Sequence, residues 1–123
     1  MQIVKNRNQI FVILFSGTHI YLSSLNAFLF SLKNKDNLKP FKATVFQNSK
    51  HALGNALDWG PTFGGGHDLG ISNNANSGTA SSSNFGGTYQ PPPGYTYDAT
   101  NTRALLAGTY YFTPSEVEVF YLQ

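Results

Sequence analysis

A glycine-rich block at residues 60–69 constrains this chain more than any other feature of its sequence. The glycines at 64–66 allow the main chain to adopt positive φ or to approach a neighbouring chain closely. Three glycines also suggest a phosphate-binding loop, but such a loop needs a lysine and then a hydroxyl residue after its last glycine. His67 and Asp68 stand there instead, and no helix-length segment follows them. The block therefore predicts turns in a β-rich domain and no nucleotide site.

The remaining pattern predicts a mainly β fold. Residues 26–32 and 41–46 are apolar and aromatic, and the polar residues between them predict a β-hairpin with a long loop. Residues 116–122 alternate Glu with Val at first, which is typical of a strand. Residues 51–59 fit a short helix or a strand equally well. Since few segments reach helical length, we expect an antiparallel β-sandwich with a few short helices, of α+β type.

The loops are predicted from composition. Residues 73–87 are rich in Asn, Ser, Gly, Ala and Thr and have little to bury, so a surface loop is expected, anchored by Phe85 and Tyr89. Prolines 91–93 are interpreted as a stiff spacer within a loop. These segments complete a chain of 123 residues, which suits one small domain.

Charge and cysteine content exclude several classes of function. Charged residues make up 11% of the chain and the net charge is +2, which is too little for the dense basic surface expected of a nucleic-acid-binding protein. Because the chain has no cysteine, disulfides, cysteine-based zinc sites and thiol catalysis are excluded. The chain also lacks any Asn-x-Ser/Thr glycosylation motif, and both absences favour a cytoplasmic protein.

The N-terminal segment has two interpretations. Lys5 and Arg7 precede an apolar run at residues 10–15, and small residues follow at 16–18. That outline fits a signal peptide ending near residue 17, which would make the protein secreted. Alternatively, the run is a buried strand, because Ile, Val and Phe favour extended structure. The run is too short to span a bilayer, so no transmembrane helix is predicted.

No arrangement of residues predicts catalysis, a cofactor or a metal ion. His67 and Asp68 would make a general base and its orienting carboxylate, but adjacent residues on a strand point to opposite faces. His67 is therefore predicted to be structural, with hydrogen bonds to the loop main chain. No nucleophile lies in a Gly-x-Ser-x-Gly turn. A calcium site would use Asp68 with the asparagines at 73, 74 and 76, and one carboxylate among neutral amides would bind weakly. Asp58, Glu116 and Glu118 form no pair suited to acid–base chemistry.

Several blocks in order resemble the TLDc domain family. They cover residues 26–32, 59–69, 82–89, 105–108 and 112–120, so the resemblance extends over about residues 26–122. The residues that carry it form a structural signature, with no catalytic, cofactor or metal role assigned. These residues are Phe28, Phe30, Gly60, Pro61, Phe63, Gly64, Gly65, Gly66, His67, Asp68, Phe85, Gly86, Gly108, Phe112, Glu116 and Glu118.

The resemblance implies a β-sandwich flanked by short helices and a function without catalysis. Members of the family are linked to oxidation resistance in eukaryotes and to binding the vacuolar proton-pumping ATPase (V-ATPase). The partner that the resemblance implies is therefore a protein, and V-ATPase subunits are the candidates. No cofactor is expected.

The domain boundaries expected from the resemblance are residues 26–123 for the TLDc-like domain, preceded by a poorly matching segment at 1–25. That segment is interpreted as a strand, a signal-like run or the product of an imperfect gene model, with N-terminal strands of the domain lacking. The alternative function is a secreted β-sandwich that binds a glycan or a protein, in which tyrosines would stack on sugars. Those tyrosines are Tyr95, Tyr97, Tyr110 and Tyr121.

Overall fold

A computed structural model describes residues 2–6, 9–13, 21–56 and 59–119 of the chain. Its strands lie in two antiparallel sheets, so the prediction of a mainly β fold is confirmed. The strands are β1 (Gln2–Asn6), β2 (Gln9–Ile13), β3 (Tyr21–Leu22), β4 (Phe28–Lys33), β5 (Phe41–Thr44), β6 (Leu53–Ala56), β7 (Trp59–Phe63), β8 (Leu69–Gly70), β9 (Ser81–Ser82), β10 (Tyr111–Phe112) and β11 (Glu116–Val119).

The first sheet has the strand order β11-β1-β2-β4-β5. The predicted hairpin of residues 26–46 is confirmed, since β4 pairs with β5 and places Leu29 opposite Ala43. Strand β2 lies at the centre of this sheet and contains the N-terminal apolar run as far as Ile13. Residues 14–20, which include the remainder of the signal-like outline, lie outside the described residues.

The second sheet has the order β10-β9-β8-β7-β6-β3. Residues 53–56 form strand β6, which pairs with β7, so the ambiguous segment is extended there. The glycine-rich block begins in β7, turns at residues 64–67 and returns as β8. The glycines at 64–66 therefore lie in the turn between β7 and β8.

The core is formed by small and large apolar side chains from both sheets together with a short helical region. Helix α1 (Thr100–Ala104) leads into Leu105 and Leu106, both fully buried. Gly108 closes the turn that follows the helix; it has φ +87° and donates its N–H to the Ala104 carbonyl over 2.7 Å. Across the described ranges, no helix has the length and apolar character needed to cross a membrane. The core members are Ala27, Leu29, Ala43, Ala52, Leu53, Phe63, Leu69, Ile71, Phe85, Tyr89, Leu105, Leu106, Ala107 and Phe112.

The predicted surface loop at 73–87 is only half correct. Residues 73–80 are mostly exposed, but residues 81–89 are almost entirely buried. Phe85 and Tyr89 are fully buried, so their role as anchors is confirmed. Composition misled here because serine, threonine and glycine are small enough for the main chain itself to run through the interior, where its polar groups find hydrogen-bonding partners.

Candidate functional site: the glycine turn and its buried carboxylate

A tight turn at residues 64–67 joins β7 to β8. The Gly64 N–H donates to the carbonyl of Ala52 over 3.1 Å, which ties the start of the turn to the segment before β6. The His67 N–H donates to the Gly64 carbonyl over 3.1 Å and closes the turn. Both ends of the turn have left-handed backbone, with φ of +89° at Gly64 and +58° at His67. The turn therefore aims residue 68 into the protein.

The carboxylate of Asp68 is fully buried beneath this turn and is bound by main-chain N–H groups. Oδ2 accepts from Gly86, Thr88 and Tyr89, each over 3.0 Å, and Oδ1 accepts from Thr88 over 2.9 Å. Such a concave array of successive N–H groups is a common way to bind an anion in proteins. Here the anion belongs to the chain itself, so the array fixes the turn onto residues 85–89.

Burial and hydrogen bonding act on Asp68 in opposite directions. Removal from water is the larger effect and raises the pKa of the carboxyl, while the N–H groups of Thr88, Tyr89 and Gly86 lower it. Because the pKa is higher in the folded chain than in the unfolded one, folding favours the protonated form. Ionisation of Asp68 therefore reduces stability as the pH rises from the unfolded pKa through the folded one. The hydrogen bonds offset part of that cost.

The segment that holds Asp68 also pairs with the other sheet. The Phe46 N–H donates to the Thr88 carbonyl over 3.0 Å, and the Gln90 N–H donates to the Thr44 carbonyl over 2.8 Å. These bonds extend the edge of β5, which belongs to the first sheet. Since Asp68 follows β7 in the second sheet, its carboxylate joins the two sheets through residues 85–90.

Two side chains complete this junction, and the sequence had singled out only one of them, Tyr89, as an anchor of the loop. The Thr88 hydroxyl accepts the N–H of Gly65 over 3.0 Å, so it supports the turn from below. The buried Tyr89 hydroxyl donates to the Ala52 carbonyl over 2.6 Å. Burial, and then the nearby Asp68 charge, raise the pKa of Tyr89, so its hydroxyl keeps the proton that it donates. Their position directly after Gly86-Gly87 was the available signal, because glycines there let the main chain approach a carboxylate.

Two signature glycines are required by this packing. A methyl group on Gly64 would overlap Oδ1 of Asp68, and its positive φ disfavours other residues. A methyl group on Gly60 would overlap the main-chain carbonyl of Ile71. Here β7 and the segment after β8 approach too closely for a side chain. These glycines therefore belong to the interior of the site.

The outer side of the turn forms an exposed surface. We call Lys50, His51, Gly65, Gly66 and Tyr97 the turn surface; these residues are exposed, and the Tyr97 side chain is 51% accessible. A Cβ atom on Gly65 would lie 3.3 Å from Cβ of His51. A Cβ atom on Gly66 would lie 3.7 Å from the Tyr97 hydroxyl. The buried carboxylate thus positions a patch that carries cationic, imidazole and aromatic groups.

The other signature residues divide between core and surface. Phe63, Phe85 and Phe112 are buried. Phe28 and Phe30 lie on the half-buried face of β4, where Lys42 Nζ is 4.1 Å from the Phe28 ring centre. Pro61 is half-buried in β7, and Glu116 is exposed on β11. Main-chain pairing places Glu118 opposite Ile3, and its side chain lies outside the described residues.

The candidate residues for other chemistry are dispersed or occupied. Both Asp68 oxygens accept main-chain N–H groups, whereas the asparagines at 73, 74 and 76 are exposed on a different segment. Within the described ranges, no group of three or more His, Cys, Asp or Glu residues is arranged to hold a metal ion. Asp58 lies outside the described residues.

The four tyrosines proposed to stack on sugars do not form one described patch. The Tyr95 hydroxyl donates to the Asp36 carboxylate over 2.7 Å, and its ring packs against the core. Tyr97 lies on the turn surface, where its ring covers Gly87. Tyr110 contacts Tyr111 edge-on, with ring centres 4.7 Å apart. Tyr121 lies outside the described residues.

Comparison with known proteins identifies one family. The model of the TLDc domain matches residues 3–123, which includes the first strand pair as well as the segment from residue 26 onward. No curated protein and no solved structure matches the chain. The family of this chain is therefore identified by the domain match, which confirms the resemblance to the TLDc family seen in the sequence.

Replacing Asp68 with Asn is expected to destabilise the fold. The amide group would face N–H donors that now meet a carboxylate oxygen, and each buried donor left without an acceptor costs about 1–3 kcal/mol. We expect Asp68→Asn to lower the free energy of unfolding by about 3 kcal/mol in urea denaturation followed by fluorescence. Asp36→Asn, which changes an exposed carboxylate, is the control and should lose much less. Equal losses for both variants would contradict the role assigned to Asp68.

The two neighbouring glycines Gly64 and Gly66 are expected to respond differently to alanine. Gly64→Ala should cost about 2 kcal/mol or more, because it combines left-handed backbone with an overlap on Asp68. Gly66→Ala should change stability by no more than about 0.5 kcal/mol, because its φ is outside the left-handed region and its Cβ would have ordinary contacts. Thermal denaturation of both variants measures the difference. A similar loss in both would show that the turn needs glycine throughout.

Proposed function

Because the chain belongs to the TLDc family, we propose that it is a non-enzymatic protein–protein interaction module that binds the V-ATPase. The observation that carries this proposal is the use of Asp68. The one carboxylate of the signature turn is fully buried, and main-chain N–H groups occupy both of its oxygens. A general base must reach a substrate proton, so this carboxylate is better suited to shaping a surface than to transferring a proton.

His67 fits the same interpretation. Its main chain has φ +58° and closes the turn, and its carbonyl accepts the Asn84 N–H over 3.2 Å. Its Cβ and Nδ1 would lie 3.7 and 3.8 Å from a Cβ atom on Gly70, so the ring packs along β8. A histidine held in this way supports the prediction that it stabilises the loop.

Exposed tyrosines and a half-buried arginine support a role in binding a protein. Tyr97 and Tyr111 are 51% and 63% accessible, and the Arg103 guanidinium lies 5.8 Å from the Tyr110 ring centre. Tyrosine and arginine are enriched at protein interfaces and among the residues that contribute most to binding energy. The choice of the V-ATPase, the link to oxidation resistance in eukaryotes and the cytoplasmic location come from the family and the composition, and they form part of the proposal.

Binding to the purified cytoplasmic sector of a eukaryotic V-ATPase tests the proposal. We expect the full chain to bind with a dissociation constant of about 1 µM or lower, or about 8 kcal/mol of binding free energy. Biolayer interferometry on the immobilised chain measures this value. His67→Gln should bind like the natural chain, because the proposal assigns no chemistry to the imidazole.

Two results would contradict the proposal in different ways. Absence of binding up to about 100 µM, roughly 5 kcal/mol of binding free energy, would reject the V-ATPase as the partner. If a substrate is found whose turnover is abolished by His67→Gln while the thermal stability is unchanged, the non-enzymatic assignment is wrong.

A further inference from the structure

The glycine at position 66 is not explained by the packing of the chain itself. Its φ lies outside the left-handed region, so other residues could adopt its backbone conformation. A Cβ atom there would meet only Asn84 Nδ2 at 3.4 Å and the Tyr97 hydroxyl at 3.7 Å, which are ordinary van der Waals distances. Gly66 is also exposed. It therefore differs from Gly60 and Gly64, where a side chain would overlap other atoms.

Three exposed turns elsewhere in this chain hold asparagine at a left-handed position. Asn37, Asn48 and Asn74 are exposed and have φ of +56°, +52° and +53°, although glycine would adopt those angles with less strain. These three positions hold asparagine although the backbone favours glycine, whereas the exposed Gly94, with φ +87°, is a glycine that its backbone favours. At Gly66 the chain uses glycine where the backbone does not require it. Close approach of another main chain from outside is a physical reason for such a glycine.

The residues beside Gly66 indicate the chemistry of the partner segment that would approach it. Lys50 and His51 are exposed and belong to the same 3-10 turn, and the His51 ring is near Gly65. On the other side stands Tyr97, whose ring packs on Gly87 and leaves half of its surface accessible. Two acidic residues lie close to this surface in sequence: Asp68 is buried with its oxygens occupied, and Asp98, next to Tyr97, forms an ion pair with Arg103. The turn surface therefore offers a lysine, an imidazole and a phenol around a bare stretch of main chain.

We propose that the turn surface docks an extended acidic segment of a partner protein, with the segment's main chain lying across Gly65 and Gly66. Its carboxylates face Lys50 and His51, and Tyr97 packs on its far side. Extended segments present main chain and alternate side chains to a surface, which suits a site with no side chain at its centre. This inference rests on the proposed function in one respect, namely that the partner is a protein.

Side chains added at Gly66 test the docking surface. We expect Gly66→Ala and Gly66→Gln to keep the thermal stability of the natural chain and to weaken binding to the V-ATPase sector, by at least tenfold for Gln. Gly78→Gln is the matched control, because Gly78 has extended backbone and nothing within 4 Å of its Cβ position. It should bind within twofold of the natural chain. Equal binding by Gly66→Gln and Gly78→Gln would overturn the inference while the proposed partner stands.

A second measurement decides the inference if the natural chain does not bind the V-ATPase. The full chain carrying a photo-crosslinking phenylalanine in place of Tyr97 is irradiated in a eukaryotic lysate, alone and with Gly66→Gln or Gly78→Gln. An adduct that disappears only with Gly66→Gln, and that maps to an acidic segment of the captured protein, supports the turn surface and replaces the proposed partner. If no adduct depends on Gly66, or if the crosslinked segment is basic or is not a protein, the inference is wrong.

Discussion

The rest of this structure depends on the hydrogen bonds between the buried Asp68 carboxylate and main-chain N–H groups. Asp68 follows β7 in one sheet and accepts the N–H groups of Gly86, Thr88 and Tyr89. The same segment pairs with the edge of β5 in the other sheet through the Thr88 carbonyl and the Gln90 N–H. A single buried group therefore fixes the glycine turn, the segment behind it and the relation between the two sheets. Removing this carboxylate from water raises its pKa and reduces the stability of the fold when it is ionised. The hydrogen bonds offset part of that loss, and without the carboxylate the buried N–H groups would lack acceptors.

The glycines of the signature serve two purposes that geometry separates. Gly60 and Gly64 leave room for atoms of the same chain, a carbonyl in one case and the Asp68 carboxylate in the other. Gly66 has room for a side chain and leaves its surface bare. One short block of sequence thus contains both the means of building the turn and, in our proposal, the means of presenting it to a partner.

Much of the fold could be predicted from the sequence, because its strands are marked by apolar and aromatic runs bounded by turn residues. The hairpin of β4 and β5 and the burial of Phe85 and Tyr89 followed from that pattern. The burial of residues 81–89 did not, because small polar residues carry no hydropathy signal and their place depends on main-chain bonds to distant residues. The N–H groups around Asp68 could not be predicted for the same reason: Asp68 and Tyr89 are 21 positions apart.

Hydrogen exchange at the amides of Gly86, Thr88 and Tyr89 tests the central role of Asp68 most directly. If the carboxylate holds both sheets together, these amides exchange only when the whole domain unfolds, as slowly as those at the centre of β4, although they lie outside the regular strands. Two-dimensional NMR of the labelled chain in deuterated water measures each rate. Exchange of these three amides as fast as that of the exposed residues 73–77 would contradict the account.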